Sequence, residues 1–192
     1  YNEEDFLPKT LLSVSDAMHS FGHRDGEIIV VDNNSTDRTS QIASEFGAAV
    51  VFEPVNQISR ARNAGAKKAQ GKYFIFLDAD TFLSAGLLKE TLNLLDSGKI
   101  VGGGTIVDDS QVSIAREKFL IRLWNFISRF RKLAAGLYLF CLADAWRGVG
   151  GFDESVYIAE ELIFSKQLKK WGLKRKMKFI IMDIPIQTSW RK

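Results

Sequence analysis

The chain has 192 residues, 46% of them hydrophobic, enough to bury one well-packed domain and too few for two. Its 26 basic against 23 acidic residues fall well short of a dedicated nucleic-acid binder, and suit a phosphorylated substrate or an anionic surface. The lone Cys141 excludes an internal disulfide and a cysteine-rich metal site, fits a reducing cytoplasmic setting and is read as core packing, while no run approaches the roughly 18 to 20 apolar residues that span a bilayer.

Tyr1-Asn2-Glu3-Glu4 opens the chain with no initiator Met, signal peptide or leading strand, so the sequence reads as starting inside a domain. Pro8 to Met18 carries Leu11, Leu12, Val14 and Ala17 or Met18 at helical spacing, and Phe21 to Gly26 follows as a turn-rich loop. His19 and His23 fall at that exit and are assigned no role. Glu27 to Val31 predicts a buried strand ending in Asp32. The cluster Asn33-Asn34-Ser35-Thr36 is then a strand-to-helix loop, with Ser35 or Thr36 capping a helix through Phe46. Ala48 to Phe52 predicts a strand, and Ile58 to Gln70 a helix bearing Arg60, Arg62, Lys67 and Lys68.

Tyr73 to Leu77 is an apolar strand, read as buried on both faces, that ends in Asp78-Ala79-Asp80. Residues two apart on an extended chain share a side, which aims Asp78 and Asp80 at one point. Two carboxylates suit a hard divalent cation, Mn²⁺ or Mg²⁺, that keeps positions open for phosphate oxygens. The alternatives are a solvated turn or a helix start capped near Thr81 or Ser84. Strand, helix, strand, helix, strand predicts an α/β fold with a mainly parallel sheet flanked by helices, whose ligands bind beyond the carboxyl ends of the strands. Asp32 and the Asp78/Asp80 pair lie at those ends.

Ala85 to Leu95 predicts a further helix. Ile100 to Val107 predicts a strand interrupted by Gly102-Gly103-Gly104, where missing side chains admit a ligand or another backbone, or mark a bulge or bend. Asp108-Asp109 reads as a helix cap. From Val112 to Ala135, Phe119, Leu120, Leu123, Trp124, Ile127 and Phe130 form an apolar stripe, with Lys118, Arg122, Asn125, Arg129 and Lys132 opposite. Such a helix either rests on a membrane surface or docks its apolar face on the sheet. Leu137 to Leu142 predicts a strand. A glycine-rich stretch leads to Gly151-Phe152-Asp153-Glu154, and a helix runs from Ala159 to Trp171, ends at Gly172 and holds Glu160-Glu161 in its first turn. The tail from Lys174 is basic, then β-rich.

In this order the pieces resemble the family 2 glycosyltransferases. The resemblance rests on Tyr1-Asn2-Glu3-Glu4, Val31 to Thr39, Ala61-Arg62-Asn63-Ala64-Gly65, Gly71-Lys72-Tyr73 running into Asp78-Ala79-Asp80, and Gly150 to Glu154 followed by Glu160-Glu161. It implies a Rossmann-like GT-A fold missing its first strand, with residues 1–107 binding a nucleotide-diphospho-sugar donor and 108–192 forming the acceptor side. By that resemblance Asp32 and Glu4 contact the nucleoside, Tyr1 lies beside the base, Asn34 belongs to the nucleoside loop and Arg62 sits near the base or diphosphate. Asp78 would hold the nucleotide sugar and, with Asp80, the Mn²⁺ or Mg²⁺. Gly103, Gly104, Gly151 and Phe152 fall on the acceptor side, toward a saccharide or lipid-linked acceptor.

Where the family usually has Glu-Asp, this chain has Glu160-Glu161, so Glu161 is the expected base, and its place in a helix first turn favours the ionised form. The processive members' Gln-x-x-Arg-Trp is not reproduced in Gln187-Thr188-Ser189-Trp190-Arg191, which favours a single transfer. The implied activity is a metal-assisted, inverting transfer from a UDP- or GDP-sugar to an acceptor hydroxyl, in the cytoplasm or at the inner face of the membrane. Competing readings are a non-catalytic nucleotide-sugar or membrane-docking module of the same fold, and a nucleotidyltransferase.

Overall fold

The computed structural model describes residues 1–20 and 26–189; His23 and the Trp190-Arg191 end of the tail lie outside them. The first part of the chain forms helix α1 (Leu7–His19), strand β1 (Ile29–Asp32), α2 (Thr39–Glu45), β2 (Ala49–Phe52), α3 (Ile58–Lys68) and β3 (Tyr73–Leu77). Then follow β4 (Thr81–Phe82), α4 (Ala85–Asp96), β5 (Ile100–Val107), α5 (Ala115–Arg131), β6 (Tyr138–Leu142), α6 (Ala143–Val149), α7 (Glu160–Leu173) and β7 (Lys178–Thr188). The short β4 and α6 have too few residues to show a period. Helix α7 also runs past Gly172, which is buried against Val101.

Local chemistry sets several boundaries. Pro8 sits in the first turn of α1, where its missing N–H costs nothing. Ser84 caps α4 by accepting the Leu87 N–H at 3.2 Å, as one of the sequence alternatives has it. Neither Ser35 nor Thr36 caps α2: the Thr39 N–H donates to Asp37 Oδ1 at 2.9 Å, and both hydroxyls are engaged by Asn2. Asp108 and Asp109 do not cap α5 either. Asp108 accepts from Ser110 and Gln187, and Asp109 binds Arg122.

The α/β architecture is as expected, but the sheet is mixed. Strands β1 and β2 pair in parallel as a two-stranded sheet, and the five-stranded sheet has the order β3-β6-β5-β7-β4. Strand β6 enters antiparallel between β3 and β5, while β5 and β7 run parallel. The cause is the position of α5. Its Asn125 brackets the backbone of Val107 with bonds of 3.0 and 2.9 Å, holding the helix at the end where β5 leaves the sheet. The chain therefore re-enters from that end and runs back. Alternating elements fix neither strand direction nor which strand is central.

The centre belongs to glycine-bearing β5 and to β6, whose Tyr138, Leu139, Phe140 and Cys141 are all buried; β3 lies at the edge of its sheet. A Cβ on Gly102 would come within 2.5 Å of the Phe140 carbonyl, and one on Gly104 within 2.6 Å of Ala134 Cβ. Gly103 is walled in by Ile180 and the Phe140 ring. The missing side chains thus admit neighbouring strands and Ala134. Of the expected alternatives at Gly103 and Gly104, the structure shows the close approach of another backbone.

Only part of the α5 stripe meets the body, so full docking of the apolar face on the sheet, one of the two expected alternatives, is not what the structure shows. Asn125 and Ser128 face the body, with Ile121 and Trp124 half-buried, while Phe119, Leu123, Phe126, Ile127 and Phe130 face outward. The apolar stripe is split, and its aromatic part does not dock on the sheet.

Gly104→Ala is expected to destabilise the fold by about 1–3 kcal/mol, the usual cost of forcing extra volume into a packed interior, measured by urea denaturation.

Candidate active site

After Leu77 the chain turns at once. The Thr81 N–H donates to the Asp78 carbonyl at 3.1 Å, so Asp78-Ala79-Asp80 is a turn and not the extended segment the two-residue spacing suggested. The carboxylates still share a site, each held from a different side. Thr10 of α1 donates to the Ala79 carbonyl at 2.8 Å, and Ser189, just past β7, donates its N–H to the Asp80 carbonyl at 2.9 Å and its Oγ to Asp80 Oδ2 at 2.8 Å. Ser189 carried no signal in the sequence, because its partner lies 109 residues away.

Arg62 organises what lies behind this turn. From the middle of α3 its side chain, only 10% exposed, donates Nη1 to Glu160 Oε1 at 2.8 Å and Nη2 to both Asp78 Oδ1 at 3.1 Å and the Gly136 carbonyl at 2.9 Å. The guanidinium also stands 5.4 Å from the Phe152 ring centroid. One cation thereby joins the end of β3, the approach to β6 and the first turn of α7. Asp78, Arg62 and Glu160, separated by up to 98 residues, meet as a single cluster with Glu161 beside them.

The electrostatics follow from that packing. Burial raises the Asp78 carboxyl above its ordinary value, Arg62 pulls it back, and the charges of Asp80 and Glu160 push it up again. Burial likewise raises Glu161, supported by Glu160 and Asp78 and opposed by its own backbone N–H and by Arg62. The helix terminus therefore does not keep Glu161 an ordinary carboxylate: desolvation outweighs it. The residue before the pair, Ala159, has φ of 65°, a left-handed conformation costly for a side chain with a Cβ, and so fixes the angle at which α7 begins.

Asn63, adjacent to Arg62, secures the loop that leads to α7. Its Nδ2 donates to the Phe152 carbonyl and to Glu154 Oε1, both at 2.9 Å, and its Oδ1 accepts the Phe152 N–H at 2.8 Å. Gln57 adds bonds to the Glu154 and Val156 carbonyls at 2.8 and 2.9 Å. Sequence reading gave neither residue a role, although Asn63 stood inside a quoted motif. Gly151, with φ of 77° and Asn63 Oδ1 only 2.5 Å from where a Cβ would lie, and Phe152, 2% exposed between Arg62 and the rings of Phe76 and Phe164, serve this clamp. Their observed role is structural, at the start of the segment expected to form the acceptor side.

The opening motif and the loop after β1 are stitched together. Asn2 bonds Ser35 and Thr36, the Glu3 N–H donates to Thr39 Oγ1 at 2.8 Å, and the Arg38 N–H donates to Glu4 Oε2 at 3.2 Å. Asp32, 7% exposed, accepts the Ser35 N–H at 2.9 Å, and Asn34, at φ of 64°, donates to Asn56. Tyr1 is exposed. Glu4 and Asp32 thus belong to one local network, with Asn34 tied to Asn56 beside it and Tyr1 preceding Asn2 at its edge. It meets the Asp78 turn through α1, whose Leu7 and Leu11 pack with Ile42, Val30 and Ala79.

An apolar cavity of about 360 Å³ lies against the opposite wall, lined by Val107, Leu120, Ile121, Trp124, Leu137 and Thr188 among others. Its walls are bonded to the acids: the Leu137 carbonyl accepts the Asp78 N–H at 3.2 Å, and Thr188 Oγ1 donates to the Asp80 carbonyl at 3.3 Å.

Against known proteins, the profile described as Glycosyl transferase family 2 matches residues 1–145, from the opening motif through β6. The chain belongs to this family. An uncharacterized glycosyltransferase of Haemophilus influenzae is 33% identical over 107 residues, covering 53% of this chain and 41% of the relative. Poly(ribitol-phosphate) beta-N-acetylglucosaminyltransferase TarS of Staphylococcus aureus is 29% identical over 103 residues, covering 50% of this chain and 18% of TarS. The chain thus spans less than half the length of these curated relatives. Among solved structures, TarS 1-349 in complex with UDP-GlcNAc superposes with a TM-score of 0.75 at 19% identity, over 100% of this chain and 57% of that one. Glucosyl-3-phosphoglycerate synthase of Mycobacterium tuberculosis, with Mn²⁺, UDP-glucose and phosphoglyceric acid, gives 0.66 at 20% identity over 97% and 69%. At such identities the likeness is one of fold, and the fold of this family 2 glycosyltransferase is GT-A.

Arg62→Met is expected to cost roughly 3 kcal/mol, the lower end for removing one member of a buried ion pair, because Asp78 keeps 38% of its side chain exposed. Chemical denaturation at neutral pH measures it. Raised in the folded state, the Glu161 pKa makes its ionisation at neutral pH a burden on the native state, relieved as pH falls through the folded value toward the ordinary one. Glu161→Gln is therefore expected to raise the melting temperature at pH 7, with the difference gone once the wild-type carboxyl is protonated.

Proposed function

We propose that the chain carries the catalytic core of an inverting glycosyltransferase that moves a sugar from a UDP- or GDP-linked donor to an acceptor hydroxyl, one transfer at a time. The observation that carries the reading is the Arg62 bridge, which holds Asp78 and Glu160 on one guanidinium and so sets Glu161 beside the strand-end acids. Three structural neighbours support the donor class: TarS with UDP-GlcNAc, the mycobacterial synthase with UDP-glucose, and a Pyrobaculum calidifontis mannosyltransferase with GDP-Man and Mn²⁺, which superposes with a TM-score of 0.69 at 16% identity.

In the proposed reaction Glu161 accepts the proton of the acceptor hydroxyl as its oxygen bonds to the anomeric carbon. The bond from that carbon to the diphosphate breaks on the opposite face, and its electron pair leaves with the nucleoside diphosphate. A carboxyl raised by burial is a better match for this proton than an exposed one. Asp32, Glu4, Asn34 and Tyr1 form the nucleoside end, and Asp78 orients the donor sugar against Arg62. Glu160, pinned to Arg62, fixes the first turn of α7 and hence its neighbour.

The residues also fit a divalent cation. Asp78 and Asp80 offer only oxygen, and burial, with the charge of Asp80 adding to it, already holds Asp78 above its ordinary value against the pull of Arg62. Among the described residues no group of three His, Cys, Asp or Glu side chains is placed to cage a metal, so phosphate oxygens would have to complete the shell. Mn²⁺ or Mg²⁺ bound there would supply Lewis-acid stabilisation to the departing diphosphate.

The test is release of nucleoside diphosphate from a panel of nucleotide sugars with Mn²⁺. Glu161→Gln is expected to keep donor binding and lose at least about 100-fold in turnover, near 2.7 kcal/mol of barrier. Near-normal turnover would remove Glu161 from the base role, and pyrophosphate release from a nucleoside triphosphate would replace the reaction class. In the wild type, turnover should rise with pH through the Glu161 pKa, with its acid limb above the ordinary carboxylate range.

A further inference from the structure

Helix α5 presents to solvent what most helices bury. Phe119, Phe126 and Phe130 are 65, 66 and 77% exposed, Leu123 and Ile127 lie between them, and the Phe126 and Phe130 rings stack with centroids 6.4 Å apart. With roughly 3.6 residues per turn, all five fall on the side opposite Ile121, Asn125 and Ser128. The helix is amphipathic in reverse: its polar residues hold the protein and its rings face away.

Cations frame this face. Arg122 and Arg129 run along one border, steered by Asp109 at 2.6 Å and Asp183 at 2.7 Å, while Arg116 and Arg131 lie toward the other and Lys132 ends the helix. Glu117 is the only acid on α5. Beyond its end Lys169 donates to the Arg131 carbonyl at 2.9 Å, and burial together with Lys166, Lys132 and Arg131 draws its pKa below the ordinary value, the mark of crowded positive charge.

We propose that α5 is a membrane-docking helix that lays its outward aromatic face in the interface of a bilayer containing anionic lipid. Rings at the centre and arginines and lysines at the margins match apolar chains beneath an anionic headgroup layer. A second copy of the chain fits poorly, since pairing α5 with itself would set these cations against one another. No helix among the described residues is long and apolar enough to cross a membrane, so the contact is peripheral. The bonds from Leu137 to Asp78 and from Thr188 to Asp80 place the strand-end acids directly behind the α5 wall. Docking would therefore bring the site to the lipid surface. The proposal stands on α5 alone and does not depend on the identity of the donor.

Co-sedimentation of the full chain with vesicles tests it, comparing phosphatidylcholine alone with an equal mixture of phosphatidylcholine and phosphatidylglycerol. Binding is expected to the mixed vesicles and to weaken with salt. The double variant Phe126→Ser/Phe130→Ser should lose at least about tenfold in vesicle affinity, since buried apolar area and charge both contribute to such binding. Its circular dichroism should be unchanged. Arg131→Glu/Lys132→Glu, which leaves the rings intact, should lose the preference for anionic vesicles and serves as the second readout if the phenylalanine variant misfolds. Absence of wild-type binding to either vesicle would overturn the proposal, as would binding that both variants retain. A self-association abolished by the phenylalanine changes, without vesicle binding, would assign the face to a second copy instead.

Discussion

A single guanidinium placed among carboxylates sets the geometry of this protein's site. Removing Arg62, Asp78 and Glu160 from water is expensive, and the arrangement is tolerable because the guanidinium reaches two carboxylates and one carbonyl and rests against an aromatic ring. The same interaction ties helices α3 and α7, which lie outside the strand ladder, to the ends of the paired strands β3 and β6. Helix α3, the β3 turn, the approach to β6 and the start of α7 each deliver one partner, so their relative placement is fixed by charge at a point where apolar packing alone would leave latitude.

The electrostatics of the cluster are set first by burial. Desolvation raises the proton affinity of Asp78 and Glu161, and the neighbouring carboxylates add to it against the pull of Arg62. Carboxylates held this way weaken the native state at neutral pH and favour whatever brings positive charge or a proton to them, which is how a binding site stores readiness for its ligand.

Much of this was legible in the sequence where function depends on local order. The apolar run into Asp78-Ala79-Asp80, the Asp32 loop and the glycines before Glu160 were found because strand, turn and first-turn chemistry leave short-range marks. Strand direction was not legible, because the position of α5 at the end of β5 is set by Asn125 gripping Val107, a contact without periodicity. The glycines of β5 left two alternatives open because absent side chains look alike whether a ligand or a strand fills the room, and here strands and Ala134 do. The α5 stripe is unusual by composition, which cannot tell which side meets the body; Asn125 decides it by its bonds to Val107. Ser189, Gln57 and Asn63 act across long separations, and only Asn63 lay within a recognisable motif.

Arg62 and Asn63 are consecutive residues of α3, one holding Asp78 and the other the loop from Phe152 to Glu154. The strand-end acid and that loop are therefore positioned from a common origin, a helix turn wide. Between the Asn63 anchor and Ala159 the side chains of Tyr157 and Ile158 are exposed, so changing them disturbs little packing while Glu160 stays pinned to Arg62. Under the proposed function, acceptor preference can then drift on this scaffold without redesign of the chemistry.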